Sequence, residues 1–294
     1  KAVVSLKGKG NHLQFASTRL QNDREIVRLA MRFTNFTNNT FKFASEELKD
    51  DEDFVLEFVS QRMHALVLEY ASDKCKKNKK VVLAAVSQNG HALKYASKEL
   101  KDDKEIVLAA VSQNIRVFEY ASEELKDDED FVLSLASENG VIIEYASAKC
   151  KDNKDIVLSA VRKCGCSLQY ASAKLKNDFD IVLAAVSEEG VALEFALDEL
   201  KNNVEIVWAA VSQTSFALEF ASAELKSNRK IVMSAVSKLG TALEDASAEL
   251  KKDRDIVLAA VSEDGLALQY ASDENKKDRG IVEAAGVDKK VWLL

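Results

Sequence analysis

An aromatic-Ala-Ser triplet returns along the chain at a nearly fixed interval, and no other feature constrains the fold as strongly. Its alanine stands at Ala16, Ala44 and Ala71, and then every 25 residues as far as Ala271. Self-similarity at a period of roughly 20–50 residues is the signature of a solenoid or array, in which each unit buries its apolar face only against its neighbours. One full copy reads KDDKEIVLAAVSQNIRVFEYASEEL, from Lys101 to Leu125. The repetition covers the whole chain, so one array over residues 1–294 is expected, with no second domain and no linker.

Composition decides which element repeats. The 294 residues contain no proline, where an average chain of this length would hold roughly 15. Strand-and-turn folds place proline at edges and turns, while the abundant Ala, Leu, Glu and Lys are good helix formers. With 47% hydrophobic and 30% charged residues the chain is globular rather than disordered. The longest apolar runs resemble Val81–Val86 and are too short to span a membrane. The expected fold class is all-α: an α-solenoid of about eleven 25-residue two-helix repeats.

Within a copy, Asp102 is placed to cap a helix, with Glu105 reaching back in a capping box. Asp50 with Asp53, Asp127 with Asp130, Asn177 with Asp180 and Asn202 with Glu205 read the same way. The helix then runs through Ile106–Val111, apolar on all sides and expected to be buried on most of them. Glycine follows at one repeat position, as in Gly90, Gly140 and Gly190, which predicts a left-handed residue ending the helix. Ile115 and Ser215 break that rule, so their turns are expected to differ. A second helix is predicted over His91–Leu100, with Ala92, Leu93, Ala96 and Leu100 on one face and Lys94, Lys98 and Glu99 on the wet side. The extra residues of the early copies, in RFTNFTNNTFKF and SQRMHALVLEY, fall between helices. Val4-Ser5 reads as the end of a first helix, so the chain is expected to start mid-repeat, with residues 279–294 as a C-terminal cap.

The phrases VLAAVSQNG (82–90) and EYASEELKDD (119–128) resemble the repeats of domain of unknown function 4116. The resemblance covers nearly the whole chain. It implies a helical repeat array and carries no activity with it. Asp245 in the aromatic column, Leu197 in the serine column and the early insertions depart from the family's phrase.

No constellation of residues reads as catalytic. The histidines His12, His64 and His91 lie at no zinc-ligand spacing. Cys75 and Cys150 replace a leucine of the repeat and read as core residues. Cys164-Gly-Cys166 falls in a turn. Cysteine usage of this kind is no disulfide framework and points to an intracellular, reducing compartment. There the sequons at Asn35 and Asn38 carry no consequence. No catalytic, cofactor-binding or metal-binding residue is assigned, and an enzyme is not expected. A lysine follows each second helix, as in Lys101, Lys126 and Lys151, where it suits the helix dipole. Net charge is −7, and no basic-aromatic interleaving suggests nucleic acid.

Two features point to protein partners. Glu119, Glu144, Glu194, Glu219 and Glu244 form an acidic column suited to a basic partner. The position after the helix cap is normally charged, as in Lys104, Glu129, Lys154 and Arg229, yet it is Phe179 and Val204 in two adjacent copies. Trp208 follows one turn later, where other copies have leucine. Such a patch marks an interaction site. The expected function is therefore a non-enzymatic scaffold or structural subunit that mediates protein–protein interactions in a larger assembly. The alternative is the repeat region of a secreted bacterial effector or adapter that binds a host protein transiently. Partners are other proteins; no nucleic acid, membrane span, cofactor or small-molecule substrate is expected.

Overall fold

A computed structural model describes residues 10–32 and 38–286. The start at Val4-Ser5, the sequon at Asn35 and the last residues of the expected C-terminal cap, 287–294, lie outside the described residues. The chain divides into two compact units, residues 1–131 and 132–294, and each is built from the same all-α repeat.

In the first unit, the copy around residue 100 shows how the phrase folds. Ser97 caps a short helix, Lys98–Lys101. Asp103 caps the main helix, Lys104–Val111, by accepting from the N–H groups of Glu105 (3.0 Å) and Ile106 (3.2 Å). A 3-10 segment follows over Ile115–Tyr120. Ile106, Val107, Ala110 and Val111 are buried with Val117, Phe118, Ala121 and Leu125. Leu108, however, is 45% exposed, so the main helix keeps one open face despite its unbroken apolar run.

The helix expected over His91–Leu100 is split. Gly90–Tyr95 winds as a 3-10 segment, Ala96 is extended at φ −64° and ψ 156°, and only then does Lys98–Lys101 begin. Ser97 explains the break. Its hydroxyl accepts from the Leu100 N–H, and its own N–H donates to the Lys76 carbonyl of the preceding copy at 3.0 Å. A helix running through this point would spend that N–H inside itself. The same inter-repeat bond recurs from Ser122 to Lys101 in the first unit, and from Ser172 to Lys151 and Ser222 to Lys201 in the second. The lysine position is thus a backbone link between copies as well as a helix end.

Capping is shifted by one residue from the sequence expectation. Asp51, Asp103, Asp178 and Asn203 are the caps, not Asp50, Asp102, Asn177 and Asn202. In the fourth case the residue before the cap has other work: Asn202 Oδ1 accepts from the Ser222 hydroxyl of the next copy. Asp102 likewise accepts from Ser122, and Asp50 from Ser72 at 2.6 Å.

The glycine positions also have a different cause. Among the described glycines only Gly286 has a positive φ, 72°. At Gly90, Gly190 and Gly240 a Cβ would crowd the carbonyl oxygen of Ala110, Ala210 and Ala260, on the helix of the next copy, so glycine there permits close approach. The requirement is close approach rather than left-handed backbone. The turns at Ile115 and Ser215 keep the same six-residue 3-10 segment as the glycine copies. The insertion in SQRMHALVLEY extends its 3-10 segment to nine residues, Arg62–Tyr70.

Candidate functional site

The open edge of each main helix is its first turn. In the first unit the ammonium of Lys79, the first residue of its helix, reaches Asp103 at 2.7 Å and Glu105 at 2.8 Å in the next copy. Lys104 reaches Asp128 at 2.6 Å, and Arg24 pairs with Asp51. In the second unit Lys154 reaches Asp178 (2.9 Å) and Asp180 (3.0 Å). Arg229 reaches Asp253 (2.9 Å) and Asp255 (2.8 Å), and Arg254 reaches Asp278 at 3.2 Å. The cap carboxylate therefore serves twice, accepting backbone N–H groups at its own helix and a cation from the copy before.

The chain matches the cap to that cation throughout. Each cap that follows a basic first-turn residue is aspartate: Asp51, Asp103, Asp128, Asp178, Asp253 and Asp278. Each cap that follows an acidic or apolar one is asparagine: Asn78 after Glu52, Asn153 after Glu129, Asn203 after Phe179 and Asn228 after Val204. Aspartate and asparagine cap about equally well, so capping alone does not choose between them. A carboxylate is favoured where a cation meets it. An amide suits an acidic neighbour, to which Asn78 donates at 2.6 Å, and leaves no stranded charge beside an apolar one.

Phe179 and Val204 interrupt the ion pairs at two consecutive steps. Phe179 is half-buried, Val204 is 55% exposed, and Trp208 is 45% exposed one turn further along the same helix, Val204–Gln213. Their helices pack against each other. The sequence-predicted patch is thus brought together, and Trp208 is not a core residue. Two charges at these steps have no ion pair among the described residues. Glu205 occupies the position of Glu105, Asp180 and Asp255, which receive a cation from the preceding copy; with Phe179 in that place, its carboxylate has no partner among the described residues. Lys230, one copy further and facing Val204's position, has none either.

Most of the acidic column is open to solvent: Glu119, Glu194, Glu219 and Glu244 are exposed and Glu144 is half-buried. Tyr170 donates to Glu144 and Tyr270 to Glu244, each from the following copy, and Tyr120 donates to Glu119 of its own copy. Burial, then the nearby Glu144, pushes the Tyr170 hydroxyl's pKa up; at Tyr270 the bond to Glu244 is the larger cause. Glu194 and Glu219 are exposed and lie beside Phe195 and Phe220, which have no hydroxyl to offer. Where Asp245 replaces the aromatic, a hollow of about 380 Å³ opens, lined by Phe216, Glu219, Glu244, Asp245 and Tyr270 among others. Burial raises the pKa of Asp245, while Lys226 at 3.9 Å opposes the shift.

The remaining candidates are structural. Cys75 and Cys150 are fully buried. Cys166 is half-buried, and burial, followed by the adjacent Glu189, pushes its thiol up to about 12, so the thiolate is suppressed. Among the described residues, no group of three or more His, Cys, Asp or Glu is placed to hold a metal ion. Phe216 (61% exposed) and Leu266 (69% exposed) are open apolar residues that sequence reasoning did not single out. Both sit just after the glycine position, in a column that reads His91, Arg116, Val141, Cys166, Val191, Phe216, Thr241 and Leu266. Only their size sets them apart from the other apolar residues of that column.

The stacked copies, with a short 3-10 segment between capped helices, define a tandem helical repeat protein. Its family is "Domain of unknown function (DUF4116)", whose profile matches residues 4–39, 34–76, 62–101, 78–126, 103–151, 128–176, 153–201, 178–226 and 228–276, and the chain belongs to it. No curated protein and no solved structure matches the chain. Among the described residues, no helix is long and apolar enough to cross a membrane.

Proposed function

We propose that the chain is a non-enzymatic scaffold or structural subunit that holds other proteins in a larger assembly, with Phe179, Val204 and Trp208 as its anchor surface. The reading rests on one observation. Of the four steps with neutral caps, two have an acidic first-turn residue, and only the steps at Phe179 and Val204, capped by Asn203 and Asn228, pair the neutral cap with an apolar one, so the edge there is uncharged on both sides. An exposed apolar patch with tryptophan at its centre fits a protein contact, and the mechanism is geometric: repeats present side chains at a fixed rise, and a partner engages several copies together.

The test is native size fractionation of extracts from the source cell, for the chain and for Phe179→Ser/Trp208→Ala. The unaltered chain should migrate far above its own mass with fixed companions, and the variant should run without them at unchanged helical content. Migration of both at the chain's own size would overturn the reading.

A further inference from the structure

Glu205 and Lys230 give the anchor surface a polarity, and with it a definite kind of partner. In the ordinary step, the first-turn cation of one copy lies across the gap to the next helix and ends on its capping carboxylate and, in several copies, on the acid two residues beyond the cap. At Phe179 this cation is missing. Its cap partner has become Asn203, but Glu205 has kept its charge. At Val204 the cation is missing again, the cap has become Asn228, and the corresponding residue is the basic Lys230. One acid and one base thus stand without partners among the described residues at successive helices, with Phe179, Val204 and Trp208 between and beside them. Val204 and Trp208 lie on one face of a single helix, four residues apart, and Glu205 is three residues from Trp208 on the same helix.

We propose that this surface docks a partner protein segment with an apolar core flanked by one basic and one acidic residue, its basic group meeting Glu205 and its acidic group meeting Lys230. The inference rests on the anchor reading above and adds the partner's chemistry. The template is the chain's own ion-pair pattern: the partner supplies the cation that Phe179 does not, and an anion for Lys230. Packed helices stand about 8–10 Å apart, which sets the spacing of the partner's two charges at about that value. Apolar contact against Phe179, Val204 and Trp208 supplies the binding, and the two charges set its direction, since a segment bound the other way would place like charges together.

The test uses a phage-displayed library of random twelve-residue peptides, selected against the full chain at low salt, with dissociation constants of the winning peptides measured by fluorescence anisotropy. The expected winners carry leucine or an aromatic residue between a basic and an acidic residue. They should bind Trp208→Ser at least tenfold more weakly. Glu205→Lys and Lys230→Glu should each cost them about tenfold, and peptides with their two charges exchanged should bind the double reversal Glu205→Lys/Lys230→Glu better than the unaltered chain. All three positions are exposed, and circular dichroism checks that the variants keep their helix. Winners that need Trp208 but ignore both reversals would overturn the charge inference and leave the anchor reading standing. Winners indifferent to Trp208, or no winners, would overturn both.

Discussion

Two stretches of the second unit fold alike and differ at their edge. From Arg229 to Asp278, each first-turn arginine spans to the aspartate cap of the next copy. From Phe179 to Asn228, the same helices stack with asparagine caps and no such pair. Interior residues are the same in both: Ile181, Val182 and Ala185 are as buried as Ile256, Val257 and Ala260. Stacking is therefore carried by the buried apolar positions and the inter-repeat backbone bonds. Edge charges tune it, and they vary in matched sets across each step. An edge freed of its ion pairs is available for something outside the chain.

Breaking the interior should matter most. Gly240→Ala places a Cβ against the Ala260 carbonyl, an atom of helix backbone that has no rotamer to move to. Overpacking of this kind costs about 2 kcal/mol, and urea unfolding of the variant should show it. Next in size is a gain. Ser167 is buried in a column otherwise filled by alanine and larger apolar residues, and its hydroxyl has no partner among the described residues. Ser167→Ala should stabilise by about 1 kcal/mol, with the urea midpoint rising at unchanged slope.

Edge substitutions should be smaller, and they test the comparison directly. Installing the regular pair, Phe179→Lys with Asn203→Asp, should give a favourable coupling of about 0.5 kcal/mol in a double-mutant cycle, weakened by salt. Asn203→Asp alone should gain nothing. No coupling would mean that the matching of caps to cations has another origin.

The smallest effect is in acid. The bond from Arg229 is the largest cause holding the Asp253 carboxyl below its usual range. A carboxylate whose folded pKa is lowered contributes stability that is full above about pH 4 and is lost as pH falls through the folded value. Asp253→Asn should therefore weaken the chain slightly at pH 7 and hardly at all near pH 2. The Phe179 step, having no such carboxylate, should contribute no slope. Urea midpoints at the two pH values decide this.

Much of the fold was legible because its causes are local or periodic. The buried Ile-Val and Ala positions, the leucine column that Cys75 and Cys150 share, and the placement of Phe179 at the start of one helix with Val204 and Trp208 on the next follow from the 25-residue period and helical spacing. The split second helix, the shifted caps and the role of glycine were not legible, and for one reason. Each depends on a group from another copy: the Lys76 carbonyl that takes the Ser97 N–H, the Ser122 hydroxyl that occupies Asp102 and leaves Asp103 to cap, and the Ala110 carbonyl that leaves no room for a Cβ at Gly90. The tyrosine contacts of Glu144 and Glu244 were not legible for the same reason, since the donors come from the following copy.

By itself, then, the sequence determined the period, the helical class, the buried positions and the interrupted edge, because these are patterns within one copy or identities repeated along the chain. Only the tertiary structure decided which of two adjacent capping residues caps, where the second helix breaks, and that Glu205 and Lys230 stand without partners among the described residues. Those outcomes turn on hydrogen bonds and ion pairs between groups some 20–26 residues apart, and single-residue preferences for capping and helix formation are too nearly equal to choose among them.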